Sequence, residues 1–158
     1  EDMALNDIFL HAGKSVHMLD FHLKIDGLNV YRQHSDGLIA STPTGSTAYA
    51  LSGGGPIIHP SMDAICLVPM YPHTLSSRPI VVSGNSEIKI RIHKDNRTQP
   101  MVSADGKPSV PLNQNQRLVI HKHPNKLTLL HPPGVDFFEA CRTKLGWNSY
   151  AEEFSMDN

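Results

Sequence analysis

The sequence predicts a mainly β protein, an antiparallel β-sandwich carrying two short helices. Three observations support this. Apolar and polar residues alternate with period two in several segments, turn residues separate those segments at short intervals, and only two stretches depart from the pattern. Period two gives each strand one buried and one wet face.

In "ALNDIFLH" (residues 4–11), Asn6-Asp7 reads as a turn entering the strand "IFLH". In "LDFHLKID" (19–26), Leu19, Phe21, Leu23 and Ile25 share one face, and Asp20, His22, Lys24 and Asp26 the other. "GLIAS" (37–41) is a strand that runs into "TPTGST". Further strands are expected at residues 64–68, 79–82, 117–121 and 126–130, and in "EIKIRIHK" (87–94), where Ile88, Ile90 and Ile92 alternate with Glu87, Lys89, Arg91 and His93. "SGN", "KDN", "ADG" and "HPN" supply turns, and "SADG" (103–106) reads as a turn between strands. The first exception is the helix-capable "TAYALS", expected to begin near Ser46. The second is "DFFEACRTKLGW": Asp136 and Glu139 have capping-box spacing, Phe137, Cys141 and Leu145 share a face, and Gly146 suits a C-terminal stop. No repeat, low-complexity tract or internal linker interrupts the chain.

At 158 residues, one domain with one core is expected. Lys+Arg 14 against Asp+Glu 15 leaves a net charge of -1, which argues against a nucleic-acid backbone or an anionic membrane as partner. A small polar ligand read by local geometry fits better. Cys66 and Cys141 have no CxxC or paired-His context and read as buried thiols in a reducing compartment. No apolar run approaches the roughly 20 residues of a membrane span, and the start lacks signal-peptide regions, which points to the cytoplasm. The absence of an initial Met and the abrupt opening on a strand edge point to a fragment of something longer.

The densest chemistry lies in "DGLIASTPTGSTAYALSGGGP" (36–56). Pro43 fixes a turn, Gly45 frees the backbone for positive φ or close approach, and Thr42, Thr44, Ser46 and Thr47 supply hydroxyls. The N–H groups of the helix that follows would point at an anionic or carbonyl-bearing group in the turn. An ordinary turn, N-cap and glycine C-cap account for the same residues. Two glycine-bearing loops around so short a helix, with Asp36 upstream and Tyr49 within, favour a polar ligand site. It is not a P-loop, because GxxxxGK[ST] is absent.

The run "DGLIASTPTGSTAYALSGGGPIIHPSMDAICLVPMYPHTLSSRPIVV", with Asn6-Asp7 and the terminal "KLGW", resembles the C-terminal domain of the NAD kinase family, bacterial type, over essentially the whole chain. The resemblance implies the NAD-binding β domain of a homo-oligomeric kinase, a homodimer or homotetramer. That enzyme moves the γ-phosphoryl of ATP, with Mg2+, to the 2′-hydroxyl of the adenosine ribose of NAD, giving NADP. It also implies that Asn6, Asp7, Asp36, Thr44, Thr47, Ala48, Tyr49 and Ser52 hold NAD, Asp7 accepting from a ribose hydroxyl and Tyr49 packing on a base. Gly45, Gly53, Gly54 and Gly55 would border the phosphates. Asn6-Asp7 and Asp36 also read as turn residues, Tyr49 as a core residue, and the glycines as a helix stop. "PMYPHT" (69–74) is the candidate for reaching a neighbouring subunit, and His59 and His73 for structural or subunit-contact roles.

The family's GGDG loop, which carries the general-base aspartate in an N-terminal α/β domain, does not occur in this sequence. No catalytic residue is therefore assigned here, and the chain alone is expected to be inactive. Of the ten histidines, His121 and His123 in "HKH" would share a strand face, but without a Cys or carboxylate set they read as exposed edge residues, and no metal site is assigned. Two other function classes fit parts of the pattern. A lipid kinase of the diacylglycerol or sphingosine type would need a deep apolar pocket, and a non-catalytic module would only bind dinucleotide or assemble subunits.

Overall fold

In the computed structural model, which describes residues 1–113, 116–134 and 136–147, ten strands pair antiparallel into two sheets. They are β1 (Asp7–His11), β2 (Leu19–Ile25), β3 (Leu28–Ser35), β4 (Gly37–Ser41), β5 (Ala64–Met70), β6 (Ile80–Ser83), β7 (Ile88–Ile92), β8 (Met101–Ala104), β9 (Val110–Pro111) and β10 (Arg117–Ile120). The larger sheet runs β6-β5-β4-β1-β8-β9 and the smaller β10-β7-β2-β3. Leu10, Leu38 and Leu67 of the first sheet share one apolar cluster with Phe21, Leu23, Ile88 and Ile90 of the second. The two sheets therefore bury one face each against the other, as the alternation in β2 and β7 requires. Both sheets lie in the compact unit Glu1–Pro124, and a second unit, Asn125–Asn158, carries the helix α2 (Phe137–Leu145).

Strands β4 and β5 are buried at every position. Their continuous apolar runs follow from burial on both faces. The inner face meets the second sheet, while the outer face packs Ile39, Cys66, Val68 and Met70 against Ala50 and Ile58. Ala50 belongs to α1 (Tyr49–Ser52), which lies on that outer face. Cys66 and Cys141 are both free thiols and buried, as expected, and burial pushes Cys66 up to about 11.

Three expectations need correction. The helix after the glycine-threonine loop is not continuous: residues 44–47 form a single 3-10 turn, Ala48 (φ -99, ψ -131) breaks it, and α1 is one further turn. Residues 126–130 form no strand, because no described strand pairs with them. Strand β10 ends at Ile120, so His121 and His123 do not share a strand face. Strand β3 was not anticipated, because its inward positions are Tyr31, Gln33 and Ser35 and lack an apolar alternation. The α2 signals hold: Asp136 accepts from Phe138 N (3.0 Å) and Glu139 N (3.2 Å), Cys141 is buried, and Gly146 takes φ 69.

Candidate functional site

Along β1, Ile8 and Leu10 point into the sandwich, so Asp7, Phe9 and His11 must project from the outer face at every second residue. That row is about 13 Å long at 3.3 Å per residue. The register Asp7↔Ser41 to His11↔Gly37 places Thr42 at one end of the β1–β4 ladder and Asp36 at the other. Residues far apart in sequence thus share one surface.

At the first end, the Thr42–Thr47 loop is sewn to the Asn6 segment. Thr42 N donates to Asn6 O (2.9 Å), Thr42 Oγ1 donates to Leu5 O (2.7 Å), and Gly45 N donates to Thr42 Oγ1 (3.0 Å). A Cβ on Gly45 would lie 2.0 Å from Asn6 O, so only glycine allows this approach. Ser46 is fully buried, its hydroxyl donating to Pro43 O (2.6 Å) and accepting from Ile58 N (2.9 Å). Two of the four hydroxyls foreseen as ligand donors, Thr42 and Ser46, are thereby committed to the loop itself. The amides of Gly45, Ser46 and Ala48 are bonded within the turn as well. Among the described residues the Thr44 hydroxyl makes no hydrogen bond, and Thr47 is exposed, its Oγ1 donating to Thr44 O at 3.3 Å.

Asp105 holds the other side of this corner. Its carboxylate accepts from the backbone N–H groups of Leu5 (2.6 Å), Asn6 (2.8 Å) and Asp7 (3.0 Å), and its own φ is +48. Partial burial, the largest single influence, works upward, but the backbone donors of Leu5, Asp7 and Asn6 together hold the Asp105 carboxyl below its ordinary value. The sequence reading took this aspartate for a turn residue and missed its role. Asp7 is the opposite case. It is only 8% exposed, receives no side-chain hydrogen bond among the described residues, and burial, then the Asp105 charge, push its carboxyl up. A carboxylate kept nearly buried without a donor is costly unless something else supplies one.

Midway, the Tyr49 ring meets Phe9 edge-on at 5.3 Å, and Phe9 stacks on His11 at 4.9 Å. Tyr49 is not a core residue, being 45% exposed. His11 Nδ1 accepts from Gly13 N (3.1 Å), so the neutral ring carries its proton on Nε2 and donates to Ser109 Oγ (3.0 Å). Burial lowers the His11 pKa, which favours that neutral form. Asp36, exposed at the far end, lines an open cleft with Phe9, His11 and Gly13. Its N–H donates to Met70 O at 2.9 Å. Phe9 and His11 were also missed, although reading Asp7, Phe9 and His11 as one strand face would have found them.

Ala48 marks the break before α1, and Ser52 is exposed at its end. Gly53, Gly54 and Gly55 return their amides to Tyr49, Leu51 and Ala50, so they present no free donors. Gly53 and Gly55 are needed for packing: a Cβ on either would lie within 2.8 Å of Val68 side-chain atoms. Among the described residues, no group of three or more His, Cys, Asp or Glu is placed to hold a metal ion.

Residues 5–131 match the model of the ATP-NAD kinase C-terminal domain. The chain belongs to that family. The match encloses the whole outer-face row, from Asn6 through Asp36 and Ser52 to Asp105. An NAD kinase of Psychrobacter arcticus is 84% identical over 157 residues, covering 99% of this chain and 48% of its own length. An NAD kinase of Acinetobacter baylyi is 75% identical over 146 residues, covering 92% and 47%. This NAD kinase C-terminal domain thus spans about half the length of those relatives. Among solved structures, a yeast NADH kinase complexed with NADH aligns with TM-score 0.73 and 32% identity, over 98% of this chain and 46% of its own. An NAD kinase from Archaeoglobus fulgidus in complex with ATP aligns with TM-score 0.69 and 36% identity, over 77% and 46%.

Proposed function

We propose that this chain is the dinucleotide-binding half of an NAD kinase, an enzyme that phosphorylates the 2′-hydroxyl of the adenosine ribose of NAD with ATP to give NADP. The observation that carries the proposal is the Asp7 carboxyl, nearly buried and without a donor among the described residues, beside the loop that Gly45 allows to close on Asn6. A ribose hydroxyl would supply the missing donor, and a hydrogen bond to a charged acceptor contributes about 1.5–3 kcal/mol. The Asn6 side-chain amide makes no hydrogen bond among the described residues and lies next to it, and Thr44 and Thr47 border the same end. Tyr49, standing on Phe9, offers a ring face to a base. Asp36 lies about 17 Å away, at 3.4 Å per residue along the β1–β4 ladder, where it can accept from the second head of an extended ligand. A ligand with two polar heads and a flat base fits this row. The lipid-kinase reading is less well supported, because the polar side chains Asp7, His11 and Asp36 border this row.

The chemistry itself needs a base at the 2′-hydroxyl and a site that holds the ATP phosphates in line with it. We assign both to the remainder of the longer protein, in an α/β domain bearing GGDG. No magnesium ligand is assigned to this chain, whose described residues offer no such set. Within the whole enzyme the "PMYPHT" segment would reach a neighbouring subunit of a homodimer or homotetramer in the cytoplasm. Tyr71 there takes φ +45 and is 74% exposed, and Leu75, the residue after the segment, is 93% exposed.

The test incubates the purified chain with NAD, ATP and magnesium, with an NADP-specific dehydrogenase as reporter and calorimetry with NAD and NADP alongside. Binding without turnover is expected. Turnover comparable to a full-length NAD kinase would place the base and ATP site in these residues, and absence of binding would overturn the site.

A further inference from the structure

The solvent face of the smaller sheet carries an arrangement of charge that neither the core nor the β1 row uses. Phe21 and Leu23 of β2, Tyr31 of β3, Ile90 and Ile92 of β7 and Leu118 of β10 pack on the core, so the residues between them point outward. The register sets Arg32 opposite His22, His22 opposite Arg91, and Arg91 opposite Arg117, one row across all four strands. At about 4.8 Å between strands the row is about 14 Å long. In the next row Lys24 stands opposite Lys89. Like charges directly opposite one another destabilise a sheet, and the pairs Arg91–Arg117 and Lys24–Lys89 share this face in a chain of net charge -1. The nearby carboxylates are already engaged. Asp20 accepts from Arg32 Nε (2.9 Å) and lies 3.2 Å from His34 Nε2, and Glu87 pairs with Lys89. Arg91 and Arg117 are exposed and form no ion pair among the described residues.

We propose that this row is a docking surface for another protein, one that presents an acidic helix with carboxylates one turn apart. Arginine pairs with a carboxylate through two parallel hydrogen bonds, and it is enriched at protein interfaces where lysine is depleted. Arg32, Arg91 and Arg117 bring that chemistry to one line. A helix repeats a side chain on one face about every 5.4 Å, close to the spacing between strands, so carboxylates on successive turns meet successive strands when the helix lies across the row. Val119, on the same face two residues after Arg117 and 42% exposed, adds an apolar contact beside the charges. A nucleic-acid strand fits less well, because no Phe, Tyr or Trp projects from this face to stack on a base. The inference does not depend on what the β1 row binds, since that row lies on the other sheet.

Fluorescence anisotropy tests it on this chain at about 0.15 M salt, where exposed charges are screened beyond about 8 Å. The probes are two labelled alanine-based helical peptides of equal charge, one with its Glu residues in a single stripe at i, i+4, i+7 and i+11, the other with them spread around the helix. The striped peptide should bind about tenfold more tightly, the sum of a few exposed ion pairs. Arg91→Ala with Arg117→Ala should remove that preference without lowering the melting temperature. Absence of binding, equal affinity for the two peptides, or a preference untouched by the double substitution would overturn the proposal. So would tighter binding of a single-stranded oligonucleotide of matched charge, which would make the partner a nucleic acid. If the double variant does not fold, the comparison of the two peptides on the unsubstituted chain decides.

Discussion

The two faces of β1 are built from alternate residues of one five-residue strand, and they serve opposite ends. Ile8 and Leu10 point inward and join an apolar cluster that spans both sheets. Asp7, Phe9 and His11 point outward, where one is a nearly buried carboxyl without a donor among the described residues and two form an aromatic row with Tyr49. The inner face stabilises by removing apolar area from water. The outer face carries Asp7, nearly buried and with its carboxyl raised by that burial. The lesson is that period two allows a single strand to separate the core from the proposed binding face, so substitutions one residue apart should fall into different classes.

The largest expected effect is on the inner face. Leu10→Ala, at a fully buried position, should destabilise by about 3–4 kcal/mol in chemical denaturation, with nucleotide affinity of the folded fraction unchanged. Loss of affinity without loss of stability would break the distinction between the faces.

The next is at the corner that holds the outer face in place. Asp105→Ala leaves three backbone donors without their carboxylate and an alanine at φ +48, and should cost about 2 kcal/mol. Asp105→Asn, which tolerates that backbone and keeps one acceptor, should cost less. The pH dependence follows from its depressed carboxyl. Its contribution is present above the ordinary carboxylate value of about 4 and is lost as pH falls through the lower folded value. Unfolding midpoints measured from pH 7 to pH 2 should show this loss in the wild type and not in Asp105→Ala.

Smaller effects belong to the row itself. Asp36→Asn and Tyr49→Ala, both exposed, should each weaken NAD or NADP binding about tenfold in calorimetry, roughly one hydrogen bond or one ring contact, with melting close to wild type. Unchanged affinity in both would remove the middle and far end of the site.

How far the sequence reached follows the same division. Strands β2 and β7 were legible because each buries isoleucine, leucine or phenylalanine at alternate positions. Strand β3 was not, because Gln33 and Ser35 occupy its inward face, although Asp26-Gly27 with φ 50 and 81 marks a tight hairpin before it. The composition of the threonine-glycine loop marked it as a candidate site. The use of its own hydroxyls and amides was not legible, since Ser46 bonds to Ile58 and Thr42 to Leu5 through contacts only the fold creates. Asp105 reaches Leu5 across 100 residues of chain, a pairing that no local pattern contains.

Asp7 gives the most direct measurement, because the account asks two opposite things of it. Burial and the Asp105 charge raise its carboxyl, so its contribution to stability is favourable below about pH 4 and is lost as pH rises through the folded value. At neutral pH the ionised group is therefore a cost, which the proposed ligand hydroxyl would offset. Asp7→Asn at pH 7 should raise the melting temperature by about 2–4 °C and weaken NAD or NADP binding by about 10–100-fold. A variant that melts lower and binds as tightly as the wild type would contradict the claim that this face keeps an unsatisfied carboxylate for its ligand.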